Sequence, residues 1–245
     1  MQINDFLGLV KKRRSIRRFK TDPVPDSQLQ AVLDAARFAM SGANAQPWEF
    51  VVVKKPELRT KIADLLDECK KEANLIEMTR LPELRHPGIG NPQSYKNMKE
   101  APVMIVVCGD PRTFQATMLS THFTSGESAT FFMNLANVTQ ILHLAAAAAG
   151  LGAQWVSVTR PFERSLKDLL GIPDIMRIYV IVPMGYPSYK PSPSIRRELT
   201  EMIHYDGYDL SKFRSDEKIL DFLRELRRKT HTAYNAKMIK TKRTS

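Results

Sequence analysis

Four short segments carry side chains whose types and spacing suit a flat, phosphorylated molecule. Arg13-Arg14-Ser15-Ile16-Arg17-Arg18-Phe19 sets guanidinium forks around one hydroxyl. That donor set fits a phosphate dianion, each charge-assisted hydrogen bond being worth about 1.5–3 kcal/mol, although a solvated basic turn has the same composition. Ser41-Gly42-Ala43-Asn44-Ala45-Gln46-Pro47-Trp48 combines small residues, which let backbone approach a ring, with amides that read a polar edge; alone it is equally a turn. In Gly150-Leu151-Gly152-Ala153-Gln154-Trp155-Val156-Ser157 the glycines either expose backbone N–H groups or simply cap a helix. Gly185-Tyr186-Pro187, followed by Arg196-Arg197-Glu198-Leu199, brings guanidinium groups back late in the chain, or is a polar surface loop.

Other chemistries lack their residues. There is no G-x-S-x-G elbow, H-E-x-x-H pair, G-x-G-x-x-G turn or G-x-x-x-x-G-K-[ST] loop. The five histidines, His86, His122, His143, His204 and His231, never reach metal-ligand spacing, and His143 reads as a satisfied core or surface residue. Cys69 and Cys108 form no C-x-x-C motif, so both are expected to be reduced thiols.

The elements that must position these segments follow from periodicity and punctuation. A first helix is expected from a cap at Asn4 or Asp5 to about Arg13, with Phe6, Leu9 and Val10 inward. A second starts near Pro25 and Asp26, carries Leu29, Val32, Leu33 and Ala36 on one face, and stops at Ser41-Gly42. Glu49 to Val53, Val103 to Cys108, Gln154 to Val158 and Arg177 to Val182 read as strands. Helices are expected from Pro56 to about Ile76, Ser128 to Ala149, Glu163 to Leu170 and Asp216 to Lys229, the last closing the core. Between Thr79 and Lys99, three prolines and two glycines forbid continuous regular structure, and a loop of that length is commonly a lid or binding loop. Alternation of strands and helices by itself suggests a parallel sheet.

At 245 residues, with 43% hydrophobic and 26% charged, the chain is an ordinary globular protein, not a disordered or disulfide-stapled one. The longest apolar run, Ile141 to Leu151, is too short to span a bilayer, and the N-terminus is neither a convincing signal nor a transit peptide, so a cytoplasmic location is expected. The net charge of +11 is concentrated. Residues 11–20 hold seven cations and no acid, and residues 224–245 hold eight cations against Glu225, leaving −3 for the rest. A body this close to neutral is a poor nucleic-acid grip, although a basic nucleic-acid-binding module remains a distant alternative.

In their order and separation, the four segments resemble the nitroreductase family of FMN-dependent oxidoreductases. The family pattern runs R-x-S-x-[RK], S-[SG]-x-N-x-Q-P-W, A-x-x-x-G-L-G, then G-Y-P and a late arginine. This chain answers with Arg13, Ser15 and Arg17, then Ser41 to Trp48, Gly150-Leu151-Gly152, Gly185-Tyr186-Pro187 and Arg196. Met40 stands where many members have proline.

The resemblance implies an α+β fold on a mainly antiparallel sheet flanked by helices, an FMN-binding domain over residues 1–229 with a basic tail over 230–245, and an intertwined homodimer with FMN at the interface. It assigns Arg13, Ser15 and Arg196 to the FMN phosphate, assisted by Arg14 and Arg197. Arg17 would lie by the N1/O2 side of the ring, where a fixed cation stabilises reduced flavin. Ser41, Gly42 and Asn44, with Gln46 in the same loop, would reach the ring from the other subunit. Backbone from Trp155 to Ser157 would meet its far edge. The implied activity is ping-pong transfer of a hydride from NADH or NADPH, through the flavin, to a nitroaromatic or quinone acceptor, with no catalytic side chain. The loop motifs also resemble the dehalogenase and flavin-fragmenting branches of the superfamily. A dehalogenase of amino-acid substrates would need lid groups for a zwitterion, for which Glu72, Glu77, Tyr95 and Lys96 are candidates.

Overall fold

The computed structural model describes residues 2–85, 95, 97–117, 129–192 and 194–242, with backbone alone at 70, 72, 73, 117, 161 and 230–242. It resolves two compact units, residues 1–69 with 92–191, and residues 70–91 with 192–245.

The first unit is built on one antiparallel sheet. Its strands are β1 (Trp48–Val53), β2 (Val103–Gly109), β3 (Gly152–Ala153), β4 (Val156–Ser157) and β5 (Arg177–Gly185). They are ordered β1-β2-β5-β3, with β4 also on β5. All seven residues of β2 are buried, which explains its unbroken apolar run. Odd positions such as Ile105 and Val107 face one core with α2 (Asp26–Ala36) and α5 (Ala129–Ala148). Even positions such as Met104 and Val106 face another with α3 (Pro56–Met78) and α6 (Arg160–Leu170). The sheet is thus sandwiched between helical layers, an α+β arrangement. The parallel sheet suggested by element alternation is not formed.

Two irregularities shape the sheet. Val107 pairs with Val180 and Cys108 with Ile178, so Tyr179 is an extra residue on β5, a bulge that re-aims its side chain. The expected strand over 154–158 is broken into β3 and β4. Ala153 pairs with Met184 and Val156 with Ile181 in one register, so Pro183 stands opposite Gln154. The Gln154 N–H donates to the Pro183 carbonyl at 3.1 Å, but proline has no N–H to return the bond.

α5 is long and apolar enough by length and composition to cross a membrane, longer than the 141–151 run suggested. Eight of its residues, from Phe131 to Ala146, are buried, as expected of a core helix. It ends where expected: Gly150 takes φ +74° and the Leu151 N–H reaches back to the Ala146 carbonyl at 2.8 Å.

Several boundaries differ from expectation. α1 (Ile3–Lys12) is capped by Gln2, whose N–H donates to Asp5 Oδ2 at 2.9 Å, and buries no residue; Phe6 and Val10 stay exposed. α2 stops at Ala36, short of Ser41. α6 starts at Arg160 because Pro161 suits a first turn. A short α4 (Pro111–Thr117) follows β2. α7 (Asp216–Lys242) runs past Lys229, buries nothing over 216–229 and lies in the second unit, so it does not close the core. Most of the expected lid, residues 86–94 and 96, lies outside the described residues, as do His86, His122 and Lys96.

Candidate flavin site

Three of the four segments meet at the β3 edge of the sheet. The Ile16 N–H donates to the Ala153 carbonyl at 2.9 Å, and Ser15 bridges Ala153 in parallel. The chain lies so close that a Cβ on Gly152 would come within 2.5 Å of Ile16 Cγ1. Four residues on, Phe19 bridges Pro187 in antiparallel sense, with the Lys20 N–H on the Tyr186 carbonyl at 2.8 Å and the Ser188 N–H on the Arg18 carbonyl at 3.2 Å. Ile16 and Phe19 are buried in one small cluster with Ala101 while Arg17 between them stays exposed, and with a bridge at each end the basic segment is an extended rail, not a loose turn. Tyr186 locks the same corner by donating to Gln28 Oε1 at 3.0 Å, while Gln28 Nε2 donates to the Ala149 carbonyl.

Along this rail Arg13, Arg14 and Ser15 are half-buried. Arg17 donates its N–H to the Tyr189 hydroxyl at 3.4 Å, and the Arg18 guanidinium lies 4.8 Å from the centre of the Tyr189 ring. Burial raises the Tyr95 phenol above its usual range against the opposing charge of Arg17.

The second segment hangs instead on α5. The Gly42 N–H donates to Asn134 Oδ1 at 3.1 Å, and Asn137 Nδ2 to the Met40 carbonyl at 3.3 Å. Ala43, Asn44 and Gln46 all adopt positive φ, 45° to 53°. Each costs on the order of 1 kcal/mol, a concentration of strain typical of functional loops. The Ser41 hydroxyl steadies the loop by accepting from the Gln46 N–H at 3.0 Å, and Gln46 Nε2 donates to the Asn44 carbonyl at 3.2 Å.

Trp155 and Ser157 line a cavity of about 360 Å³ with Phe132, Arg160, Arg177 and the bulged Tyr179. The Trp155 indole lies edge-on to Tyr179, centres 5.4 Å apart, and parallel to His143. His143 is 5% exposed, and among the described residues neither ring nitrogen has a hydrogen-bond partner, contrary to the satisfied residue expected. Burial first, and the charge of Arg13 second, push its pKa down to about 4, so the ring is neutral. Asn134 Nδ2 and Gln154 Oε1 are likewise buried without partners among the described residues.

Arg196 and Arg197 belong to the second unit. Arg196 donates to the Ile195 carbonyl at 2.8 Å, and the Arg197 fork is spent on Glu201 at 3.2 Å. Of the dehalogenase lid candidates, Glu77 pairs with Arg80 at 3.6 Å, while the Glu72 side chain and Lys96 lie outside the described residues.

One buried group escaped sequence reading. Glu163, 7% exposed, accepts from the Ile178 N–H at 2.9 Å and from Arg177 at 3.1 and 3.2 Å, with Lys167 at 3.4 Å. Its signal was the i, i+4 pair Glu163/Lys167 on a helix flank. Among the described residues no cluster of His, Cys, Asp and Glu could hold a metal ion.

The residues present fit FMN: two half-buried guanidinium groups and a hydroxyl on a rail fixed to the sheet answer a phosphate, and the buried unpartnered amide atoms answer a ring with polar edges. The chain belongs to the nitroreductase family, whose model matches residues 10–186. It is 30% identical over 212 residues to rat iodotyrosine deiodinase 1 (Rattus norvegicus), spanning 83% of this chain and 70% of that protein. It is 31% identical over 192 residues to a putative NADH dehydrogenase/NAD(P)H nitroreductase of Methanothermobacter thermautotrophicus, spanning 76% and 80%. Among solved structures it is similar to oxidized iodotyrosine deiodinase bound to FMN and 3-iodo-L-tyrosine, with TM-score 0.63 and 27% identity over 82% of this chain and 99% of that one.

Proposed function

We propose that the protein is an FMN-dependent oxidoreductase of the cytoplasm, a homodimer that takes a hydride from NADH or NADPH and reduces an electron-poor acceptor of nitroaromatic or quinone type. The observation that carries this reading is the joint between Ile16 and Ala153, which sets the basic rail on the sheet edge. Arg13 and Ser15, assisted by Arg14, bind the phosphate. Arg17 stands at the pyrimidine edge of the ring. Ser41, Gly42, Asn44 and Gln46 hold the ring from the second copy, and Trp155 to Ser157 wall its far edge. When bound, FMN supplies hydride transfer in two separate half-reactions. The chain's own residues bind, orient and neutralise charge, and none need act as nucleophile. The exposed apolar stripe of α1, with Ile3, Phe6, Leu7 and Val10, supports the dimer, since a second copy would cover it. The test is the visible spectrum of the purified protein, titrated anaerobically with NADH and then NADPH. Flavin absorbance bleached by one donor supports the reading, and a protein that stays colourless with added FMN overturns it.

A second reading, a reductive dehalogenase, is favoured by the likeness to iodotyrosine deiodinase over 83% of the chain. Release of iodide from 3-iodo-L-tyrosine by the dithionite-reduced protein would select it over the first.

A further inference from the structure

α5 is the apolar core helix of the first unit, yet two of its side chains are amides that hold the start of the loop over residues 41–46. Asn134, 3% exposed, accepts from the Gly42 N–H at 3.1 Å through Oδ1. One turn on, Asn137 Nδ2 donates to the Met40 carbonyl at 3.3 Å. Both bonds fall on backbone, one on each side of Ser41. The other end of the loop is fixed separately, where the Asp110 N–H donates to the Pro47 carbonyl at 2.7 Å and β1 begins.

Packing alone does not call for an amide at position 134. Phe131, Leu135 and Val138, on the same buried flank, are apolar, and leucine has the same branched outline as asparagine. A buried amide loses hydration at both of its polar atoms, and Nδ2 recovers none of it among the described residues. What the side chain does accomplish is the bond to Gly42. That bond anchors backbone that is costly to hold, since Ala43, Asn44 and Gln46 lie in the left-handed region at φ 50°, 53° and 45°. Such a run persists only where its surroundings over-determine it. The bonds of Gln46 to Ser41 Oγ and to the Asn44 carbonyl close the loop on itself without fixing it to the fold.

We propose that Asn134 is the positioning residue of this loop, retained against the preference of the core so that Ser41 to Gln46 stay in a strained form that suits a ligand, with Asn137 as a second tether. It acts through the Gly42 backbone and need not touch the ligand. That the ligand is the flavin ring of the second copy rests on the reading above; that Asn134 holds the loop does not.

Stability and binding should therefore part company. The test uses the full-length protein and three readouts: hydrogen exchange of peptides spanning residues 38–48 in the flavin-free state, FMN titration by quenching of flavin fluorescence, and urea unfolding. In Asn134→Leu, exchange of the loop should rise at least tenfold and FMN affinity fall at least tenfold, while the unfolding midpoint does not drop. Asn134→Asp keeps Oδ1 and should stay within threefold of the parent in both. Asn137→Ala leaves the buried position untouched, so it keeps the test open if neither Asn134 variant folds, and it should show a smaller change in the same direction. Loop exchange in Asn134→Leu equal to the parent would overturn the proposal. So would a faster loop with FMN affinity unchanged, or one matched by an equal loss of global stability. A faster loop in a protein whose parent binds no FMN upholds the tether and counts against the flavin reading instead.

Discussion

The Ile16 N–H and the Ala153 carbonyl, 2.9 Å apart, join the basic rail to β3 where Gly152 allows the two backbones to touch. Gly152→Ala should therefore lift the rail. Overpacking of this kind costs roughly 1–3 kcal/mol, to be read in urea unfolding, and flavin content should fall with it. A variant with full flavin content would show that the rail need not lie so close.

Glu163 gathers Arg177, Lys167 and the Ile178 N–H on one buried carboxylate. Glu163→Ala should destabilise by about 3–5 kcal/mol, because Lys167, 8% exposed, is left without its counter-charge. Glu163→Gln keeps an acceptor for Ile178 and should cost less. Equal losses from the two would assign the effect to packing.

His143 gives the protein an acid sensitivity whose sign is fixed. Its folded pKa of about 4 lies below the 6.5 of the free side chain, so the unfolded chain takes up a proton first as pH falls. Stability is intact above pH 6.5 and declines toward pH 4, by up to about 3 kcal/mol at roughly 1.4 per pH unit. His143→Leu should flatten this part of the stability curve. An unchanged slope would move the effect elsewhere.

The two thiols should separate cleanly. Burial pushes Cys108 up to about 12, while Cys69 is only partly covered. At pH 8 a thiol reagent should titrate Cys69 in the native protein and Cys108 only after unfolding. Early labelling of Cys108 would mean that β2 opens.

The left-handed Ala43 predicts a gain. Ala43→Gly removes a Cβ penalty of about 1–2 kcal/mol and returns part of it as unfolded-chain entropy. A net rise of roughly 0.5–1 kcal/mol is expected in thermal unfolding, and a fall would show that the Ala43 methyl packs.

Strands β1, β2 and β5 were legible because both faces of the sheet are covered, which writes them as continuous apolar runs. The break between β3 and β4 was not, since its cause, Pro183, lies about thirty residues away and acts only through register. The site was legible as an ordered set of segments. Its joints were not, because no spacing within Arg13 to Phe19 says that Ile16 meets Ala153 and Phe19 meets Pro187. His143 was misread for the same reason: an apolar helix announces burial, and whether partners exist depends on segments packed from elsewhere.

Pro183 also has a consequence for how the protein can change over generations. With register held by Ala153 on one side and Val156 on the other, the pair Gln154-Trp155 is released from half of its ladder duties while still beside the cavity. Trp155 can be exchanged without asking the sheet to re-pair, so descendants of this chain can refashion one wall of the pocket while inheriting the scaffold unaltered.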